Sequence, residues 1–333
     1  MKSFYECSFF DRVLDASKFK VSQQVLELDK VLPNGRAKFQ KILEKYDCSF
    51  RLSDSFSNKK PVSFIPIKDN SDLLIHTVKN LLNFNALEHC NFVIVDDRSS
   101  EDLESIVGNE FSYMRIDGNN GFNFSMLNNI PAKIFYDLGC STMILWNSDL
   151  WCMDSKTLPL LIEKHEYLDS TITGTKLIYP PKEMSLNGEE DSENIKKMFP
   201  TKVNGQWRET VQFGGVFFAD GHFHHYGRFK NPMEYRINCD RPATFLTGAF
   251  QIINLETFIK LGGLNPSLSK NFQDNDFCLR VIEKGGKIYY CGEGCGFYHD
   301  ESALLHDKKV DKQFVSNQIL FSKIWQEKIR ELI

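Results

Sequence analysis

The feature that most constrains this chain is an alternation of short apolar runs and helix-spaced segments that begins at Pro61, with two of the runs stopping on carboxylates. Val62-Ser63-Phe64-Ile65-Pro66-Ile67 reads as a strand and Asp72 to Phe84 has helical spacing. Asn91-Phe92-Val93-Ile94-Val95 is a second strand that ends at Asp96-Asp97. The rhythm continues through Ser99 to Val107, Phe111 to Ile116 and a helix around Pro131 to Leu138. It closes on the strand Thr142-Met143-Ile144-Leu145-Trp146, which stops at Asn147-Ser148-Asp149. Units of this length predict an α/β fold whose central sheet is mostly parallel and covered on both faces.

Past Asp154 the pattern loosens. It predicts a helix near Leu158 to Leu168, a strand from Ile172 to Tyr179, and a long polar stretch from Pro180 to about Glu209 that reads as a surface lid or insertion. Order returns with Ala243 to Ile253, a helix after Leu255, a helix from Asp276 to Lys284, and strands near Lys287 to Cys291 and Gly296 to His299. Residues 1–60 are polar and lysine-rich and read as an N-terminal extension, expected to be helical. Residues 306–333 carry Phe314, Leu320, Phe321, Ile324, Trp325 and Ile329 at amphipathic spacing and predict a C-terminal helix packed on the domain.

Composition excludes several classes. Forty basic against forty-four acidic side chains give a formal charge of -4, so no global field attracts nucleic acid. No run approaches the roughly 18 apolar residues of a membrane span, and Glu6 and Asp11 interrupt the first apolar segment, so neither a span nor a signal peptide is expected. Nine single cysteines without a CxxC pair suit a reducing cytoplasm. A zinc site from Cys291, Cys295 and His299 lacks a fourth ligand, and a calcium loop at Asp274 lacks its glycine and terminal glutamate.

In an open parallel sheet ligands bind beyond the carboxyl ends of the strands, so the polar residues that end strands are the first candidates. Asp96-Asp97 and Asn147-Ser148-Asp149 could bring carboxylates to one rim, where a divalent cation shared with phosphates would be at home, although Asp96-Asp97 is equally a helix cap. Asp274 and Asp276 stand at the start of an apolar helix. Capping explains one of them and leaves the other for proton transfer. His299 ends a further strand as a metal ligand, a phosphate donor or a structural residue.

In chain order these clusters resemble bacterial family 2 glycosyltransferases of the GT-A fold, in particular the rhamnosyltransferase-like branch that builds O-antigens and capsules. Val95-Asp96-Asp97-Arg98-Ser99-Ser100 is similar to the family's V-D-D-x-S-T, and Gly121 to Asn129 to its F-N-F-S-x-x-N-N. Leu145 to Asp149 stands where the family writes L-N-x-D, its version of the DxD metal motif. Gly174 to Pro180 resembles G-A-K-L-x-Y-P, and Val211 to Val216 resembles I-Q-H-A-G-V. Thr247-Gly248-Ala249 with Gly262 to Asn265, Asp274 to Arg280 and His299 to Ser302 follow as T-G-A with G-G-F-D, D-V-D-L-C-L-R and H-x-E-S. The match runs from about Val62 to Ser302.

The resemblance implies a Rossmann-like nucleotide-diphospho-sugar transferase domain over 61–305, with a nucleotide-binding half (61–154) and an acceptor-binding half (155–305). It implies an inverting transfer from a dTDP- or UDP-sugar to a glycan or lipid-linked glycan, at the cytoplasmic face of a bacterial membrane, with peripheral membrane association or a partner glycosyltransferase. Pro66, Ile67, Asp96, Asp97, Asn128, Asn147 and Asp149 would meet the donor, Asp96 or Asp97 bonding the base or ribose. Asp149 and His299 would hold Mg2+ or Mn2+. Asp274 would be the general base, and Asp276 would orient the acceptor or Arg280. The sequence departs from the pattern at Asn147, Gln273 and Asn265. A sugar nucleotidyltransferase would need a glycine-rich phosphate loop that Pro66 to Asn70 lacks. A catalytically silent glycan-binding or scaffold module would use Trp146, Trp151, Trp207 and the aromatic segment Phe217 to Phe229 as stacking surfaces.

Overall fold

A computed structural model describes residues 47–118, 121–181, 183–186, 209–219, 222–300, 312–325 and 327–332. Sheet and helix alternate from the start as β1 (Cys48–Arg51), β2 (Val62–Ile67), α1 (Ser71–Asn83), β3 (Asn91–Asp96), α2 (Glu104–Val107), β4 (Ser112–Ile116), α3 (Phe124–Asp137) and β5 (Thr142–Trp146). There follow β6 (Leu150–Cys152), α4 (Thr157–Tyr167), β7 (Ile172–Gly174), β8 (Leu177–Ile178), β9 (Val211–Phe213), and the hairpin β10 (Val216–Ala219) with β11 (His222–His225). The chain then forms β12 (Asp240–Pro242), β13 (Phe250–Asn254), α5 (Leu255–Lys260), α6 (Gln273–Glu283), β14 (Ile288–Cys291), β15 (Phe297–His299), α7 (Lys312–Trp325) and α8 (Ile329–Leu332).

Nine strands build the central sheet in the order β1-β4-β3-β2-β5-β13-β7-β14-β12. β2, β3, β4, β5, β7 and β14 run one way, while β1, β13 and β12 run against them, so the expected mostly parallel α/β sheet is present. Every residue of β2 and β3 is buried, which is why both read as unbroken apolar runs rather than alternating ones. A second sheet, β6-β15-β8-β9, packs beside the first. Trp146 joins the two. It is fully buried, lies edge-on to Phe92, Phe250 and Phe297 at 5.4, 5.6 and 5.0 Å, and donates its indole N–H to the Leu150 carbonyl.

The sheet is built outward from β2. From β2 the chain steps through β3 to β4 on one side and then crosses to β5 on the other, so the strand order reverses between β2 and β5. Such a reversal opens a crevice at the carboxyl ends of the two strands. Pro66 sits at that opening. Asn91 N–H donates to the Pro61 carbonyl and Asp97 N–H to the Ile67 carbonyl, so the odd-numbered residues of β2 bond toward β3 and Pro66 faces β5. Pairing with β5 ends at Phe64 opposite Leu145, and a residue with no N–H therefore costs no ladder bond there.

Several boundaries differ from the sequence expectation. Cys48–Arg51, counted in the N-terminal extension, pairs antiparallel with β4 and closes one edge of the sheet. Residues 1–46, the rest of the extension, lie outside the described residues. The run Ile172 to Tyr179 is two strands in two sheets: the chain changes sheet at Thr175-Lys176, where Thr175 Oγ1 donates to the Cys291 carbonyl and Lys176 Nζ donates to Asn238 Oδ1. The helix expected from Pro131 starts seven residues earlier at Phe124, capped by the Asn123 side chain, which accepts from Met126 N–H at 3.1 Å, and Pro131 lies inside it. Among the described residues no helix is long and apolar enough to cross a membrane.

Candidate active site

The crevice between β2 and β5 is lined by the turn that follows β5. Asn147 N–H donates to the Ala249 carbonyl at 3.0 Å, Leu150 N–H returns to the Asn147 carbonyl at 3.1 Å, and β6 then pairs with β15 so that His299 lies opposite Leu150. This register brings His299 Nε2 to 3.1 Å from Asp149 Oδ1 and 3.3 Å from Asn147 Nδ2. The turn is braced from both sides. On α1, Thr77 Oγ1 donates to the Ser148 carbonyl at 2.5 Å and receives the Trp151 indole N–H, while Asn80 exchanges two bonds with the Cys152 backbone. From the other side Asp300 N–H donates to the Asp149 carbonyl, and the Asp300 carboxylate accepts from Ser185 Oγ at 2.7 Å and Leu186 N–H at 2.9 Å.

Among the described residues no group of three or more His, Cys, Asp or Glu side chains is arranged to hold a metal. Asp149 and His299 form a pair, with the Asn147 amide beside them. A cation bound through substrate phosphates requires only one or two carboxylate-type ligands from the protein, so this donor set fits such an ion and would not fit an all-protein cage. Glu301 and Ser302 lie outside the described residues.

Asp274 reaches the same rim from α6. The helix enters through Phe272, whose φ of 68° turns the chain sharply so that its first turn faces the crevice. Asp274 Oδ2 accepts from Gly248 N–H and Oδ1 from Asn275 N–H, each at 2.8 Å. Burial pushes its carboxyl above the ordinary carboxylate range, while the Gly248 and Asn275 N–H groups pull it back. The carboxylate keeps partial exposure on one side and is able to accept a proton. Gly248 adjoins Ala249, whose carbonyl holds Asn147, so Asp274 and the Asp149–His299 pair flank one short stretch of backbone. A Cβ at Gly248 would lie 3.3 Å from the Asp274 Cβ, so a glycine is what lets the carboxylate approach.

The polar residues of Gly121 to Asn129 anchor the loop that leads to this helix. Asn129 bonds both the N–H and the carbonyl of Leu264 at 2.8 and 2.7 Å, Ser125 Oγ donates to the Asn265 carbonyl, and Asn123 Nδ2 donates to the Pro266 carbonyl. From outside, α7 clamps the same loop. Phe272 packs on Phe321 with ring centroids 5.3 Å apart, and Gln313 Nε2 donates to Ser269 Oγ at 2.7 Å. The C-terminal helix is therefore part of the support of Asp274.

Four sequence expectations are corrected. Asp276 is fully buried, ion-paired with Arg280 at 2.9 Å and bonded by the Trp325 indole N–H at 2.9 Å. It orients Arg280, as one alternative held, and touches no acceptor. Burial pushes its carboxyl up and the Arg280 guanidinium down, yet a guanidinium stays protonated in proteins, so the two persist as ions. Asp96 is likewise fully buried and consumed by Tyr113 Oη at 2.6 Å, Arg115 at 2.9 Å and Ser99 N–H at 2.8 Å, which leaves it structural. Asn128 is sealed inside α3, donating back to the Phe124 carbonyl, and cannot meet a donor. Trp146 and Trp151 are wholly buried and present no stacking face, whereas Trp207 lies outside the described residues.

Asp97 follows β3 beside Pro66 and Ile67 and is as fully buried as Asp96. Its N–H ties the tip of β3 to the Ile67 carbonyl, and Arg98 Nε covers its carboxylate at 3.2 Å. Gly248, Thr77, Asn80, Asp300 and Trp325 carry roles that motif reading missed. Gly248 alone left a signal, as the glycine of Thr-Gly-Ala, because the others act through contacts 49 to 151 residues away in the chain.

No protein-family model matches the sequence, and no curated protein sequence matches it. One solved structure similar to it is a mannosyltransferase from Pyrobaculum calidifontis in complex with GDP-Man and Mn2+. It has 10% sequence identity and a TM-score of 0.47, over 92% of this chain and 75% of that one.

Proposed function

We propose that this chain is an inverting glycosyltransferase of the GT-A type that moves a sugar from a nucleoside-diphosphate donor to a hydroxyl group of a glycan. The observation that carries the reading is the convergence of Asp149, His299 and Asp274 on the Asn147–Ala249 contact, where β13 pairs with the end of β5. The first half of the domain, to residue 154, then takes the nucleotide, and residues 155–305 take the acceptor. Asp97 and the backbone at Pro66 and Ile67 receive the base or ribose once Arg98 moves aside. Asp149 and His299 would hold Mg2+ or Mn2+ on the donor diphosphate, where the ion supplies charge neutralisation of the departing nucleotide.

Asp274 accepts the proton of the acceptor hydroxyl while that oxygen bonds to the anomeric carbon and the bond from this carbon to the diphosphate breaks. Its raised pKa strengthens it as a base. The Gly248 and Asn275 N–H groups each hold one carboxylate oxygen, and each oxygen keeps a further lone pair to accept with. The acceptor class suggested by the sequence motifs is a bacterial O-antigen or capsule glycan on a lipid carrier, handled at the inner membrane face by peripheral association or with a partner glycosyltransferase.

The test is a thermal-shift screen of UDP, dTDP, GDP and CDP with and without Mn2+, on the parent chain and on Asp149→Asn and Asp274→Asn. One nucleotide should stabilise the parent in a Mn2+-dependent way. Asp149→Asn should lose that shift, and Asp274→Asn should keep it while losing turnover. In the parent, kcat/KM should fall with decreasing pH through an apparent pKa above the ordinary carboxylate value. No shift with any nucleotide would sink the reading.

A further inference from the structure

A cavity of about 530 Å3 lies away from the β2/β5 crevice, between the β10–β11 hairpin and the segment that follows β12. Its size is that of a small-ligand site. Four side chains set its chemistry. Phe217 lines the cavity, is 47% exposed and is backed by the His224 ring, stacked on it at 5.2 Å with the planes 20° apart. Tyr226 adds a second aromatic ring to the lining. Arg236 is exposed and has no ion pair among the described residues. Arg241 lies 4.0 Å over the Tyr290 ring and donates to the Arg236 and Gly214 carbonyls, so its charge also meets no carboxylate there. Its neighbour Asp240 is taken by Lys164 at 2.7 Å. Two cations beside aromatic rings, paired with no carboxylate among the described residues, are complementary to a ring that carries a negative charge.

The cavity is tied to the catalytic rim by backbone. Val216 bridges Phe245, and the lining residue Thr244 is four residues before Gly248, whose N–H holds Asp274. The two are thus no more than about 13 Å apart even with the chain fully extended. We propose that this cavity is an acceptor subsite that binds an acidic sugar, a pyranose bearing a carboxylate, whose neutral neighbours in the glycan reach toward Asp274. This rests on the transferase reading for the word acceptor, while the binding of an acidic sugar does not.

The experiment is a titration of the full chain with glucuronate, glucose and inorganic phosphate, read by saturation-transfer NMR and calorimetry, with Arg236→Ala and Phe217→Ala alongside. Both positions are exposed, and unchanged thermal midpoints verify that the variants fold. Glucuronate should bind about tenfold more tightly than glucose, the margin of a charge-assisted hydrogen bond, and Arg236→Ala should bring it to the glucose level. Phe217→Ala should weaken both sugars. Equal binding of the two sugars, phosphate competing as strongly as glucuronate, indifference to Arg236→Ala, or displacement of glucuronate by UDP would each overturn the proposal. A chain that binds glucuronate here but no nucleotide at the crevice would sink the transferase reading alone.

Discussion

Replacing Asp276 by Asn keeps the shape of the side chain and removes its charge from a fully buried site. Arg280 is 5% exposed and also donates to the Leu261 and Gly263 carbonyls, both at 2.7 Å. The substitution therefore takes the Asp276 carboxylate away from a buried guanidinium, and breaking one side of such a pair costs about 3–5 kcal/mol. The weakened bond from Trp325 falls within that range, because it belongs to the same carboxylate. With a urea slope of about 3 kcal/mol per molar, the unfolding midpoint should drop by about 1–1.7 M. Equilibrium unfolding followed by tryptophan fluorescence measures this, with turnover of the still-folded protein measured alongside in the absence of urea. The folded variant should keep most of its turnover. A midpoint shifted by less than about 0.3 M together with lost turnover would mean that Asp276 acts on the substrate, and the burial argument would fail.

Gly248→Ala should lower kcat several-fold with a small stability change, since the new methyl group moves Asp274 by a few tenths of an ångström; steady-state kinetics with an unchanged thermal midpoint would show it. His165 is buried, with Nδ1 2.9 Å from Thr173 Oγ1, and burial pushes its imidazole down to about 4. Between that value and the ordinary 6.5 the unfolded chain binds a proton that the folded chain does not, so stability should be lost as pH falls from about 6.5 toward 4, by up to about 3 kcal/mol. Urea midpoints at pH 7, 5.5 and 4.5 measure the slope, and an identical slope in His165→Gln would assign it to other groups.

Much of the candidate site was legible because strand ends are legible. An apolar run that stops on Asp or Asn marks a rim position whatever its neighbours, and Asp97, Asp149 and His299 were found in this way. Which carboxylate of each pair is tied up by side chains from elsewhere in the chain was not legible. Asp96 and Asp97 are adjacent, as are the positions around Asp274 and Asp276, and their fates are set by Tyr113, Arg115 and Trp325 arriving from elsewhere in the chain. The motif residues Asn123, Ser125 and Asn129 carried no assigned role in the sequence, and they bond a loop about 135 to 143 residues further on.

The sequence by itself determined the α/β alternation, the burial of β2 and β3, and the carboxylates that close the strands, because periodicity and composition act over a few residues at a time. Tertiary structure alone decided that β5 returns beside β2 to open the crevice and that β6 pairs with β15 to bring His299 to Asp149. It alone decided that α7 folds back to hold Phe272 and Asp276. Each of these is a contact between segments far apart in the chain, whose energy comes from burial and hydrogen bonding that exist only once the whole core has assembled.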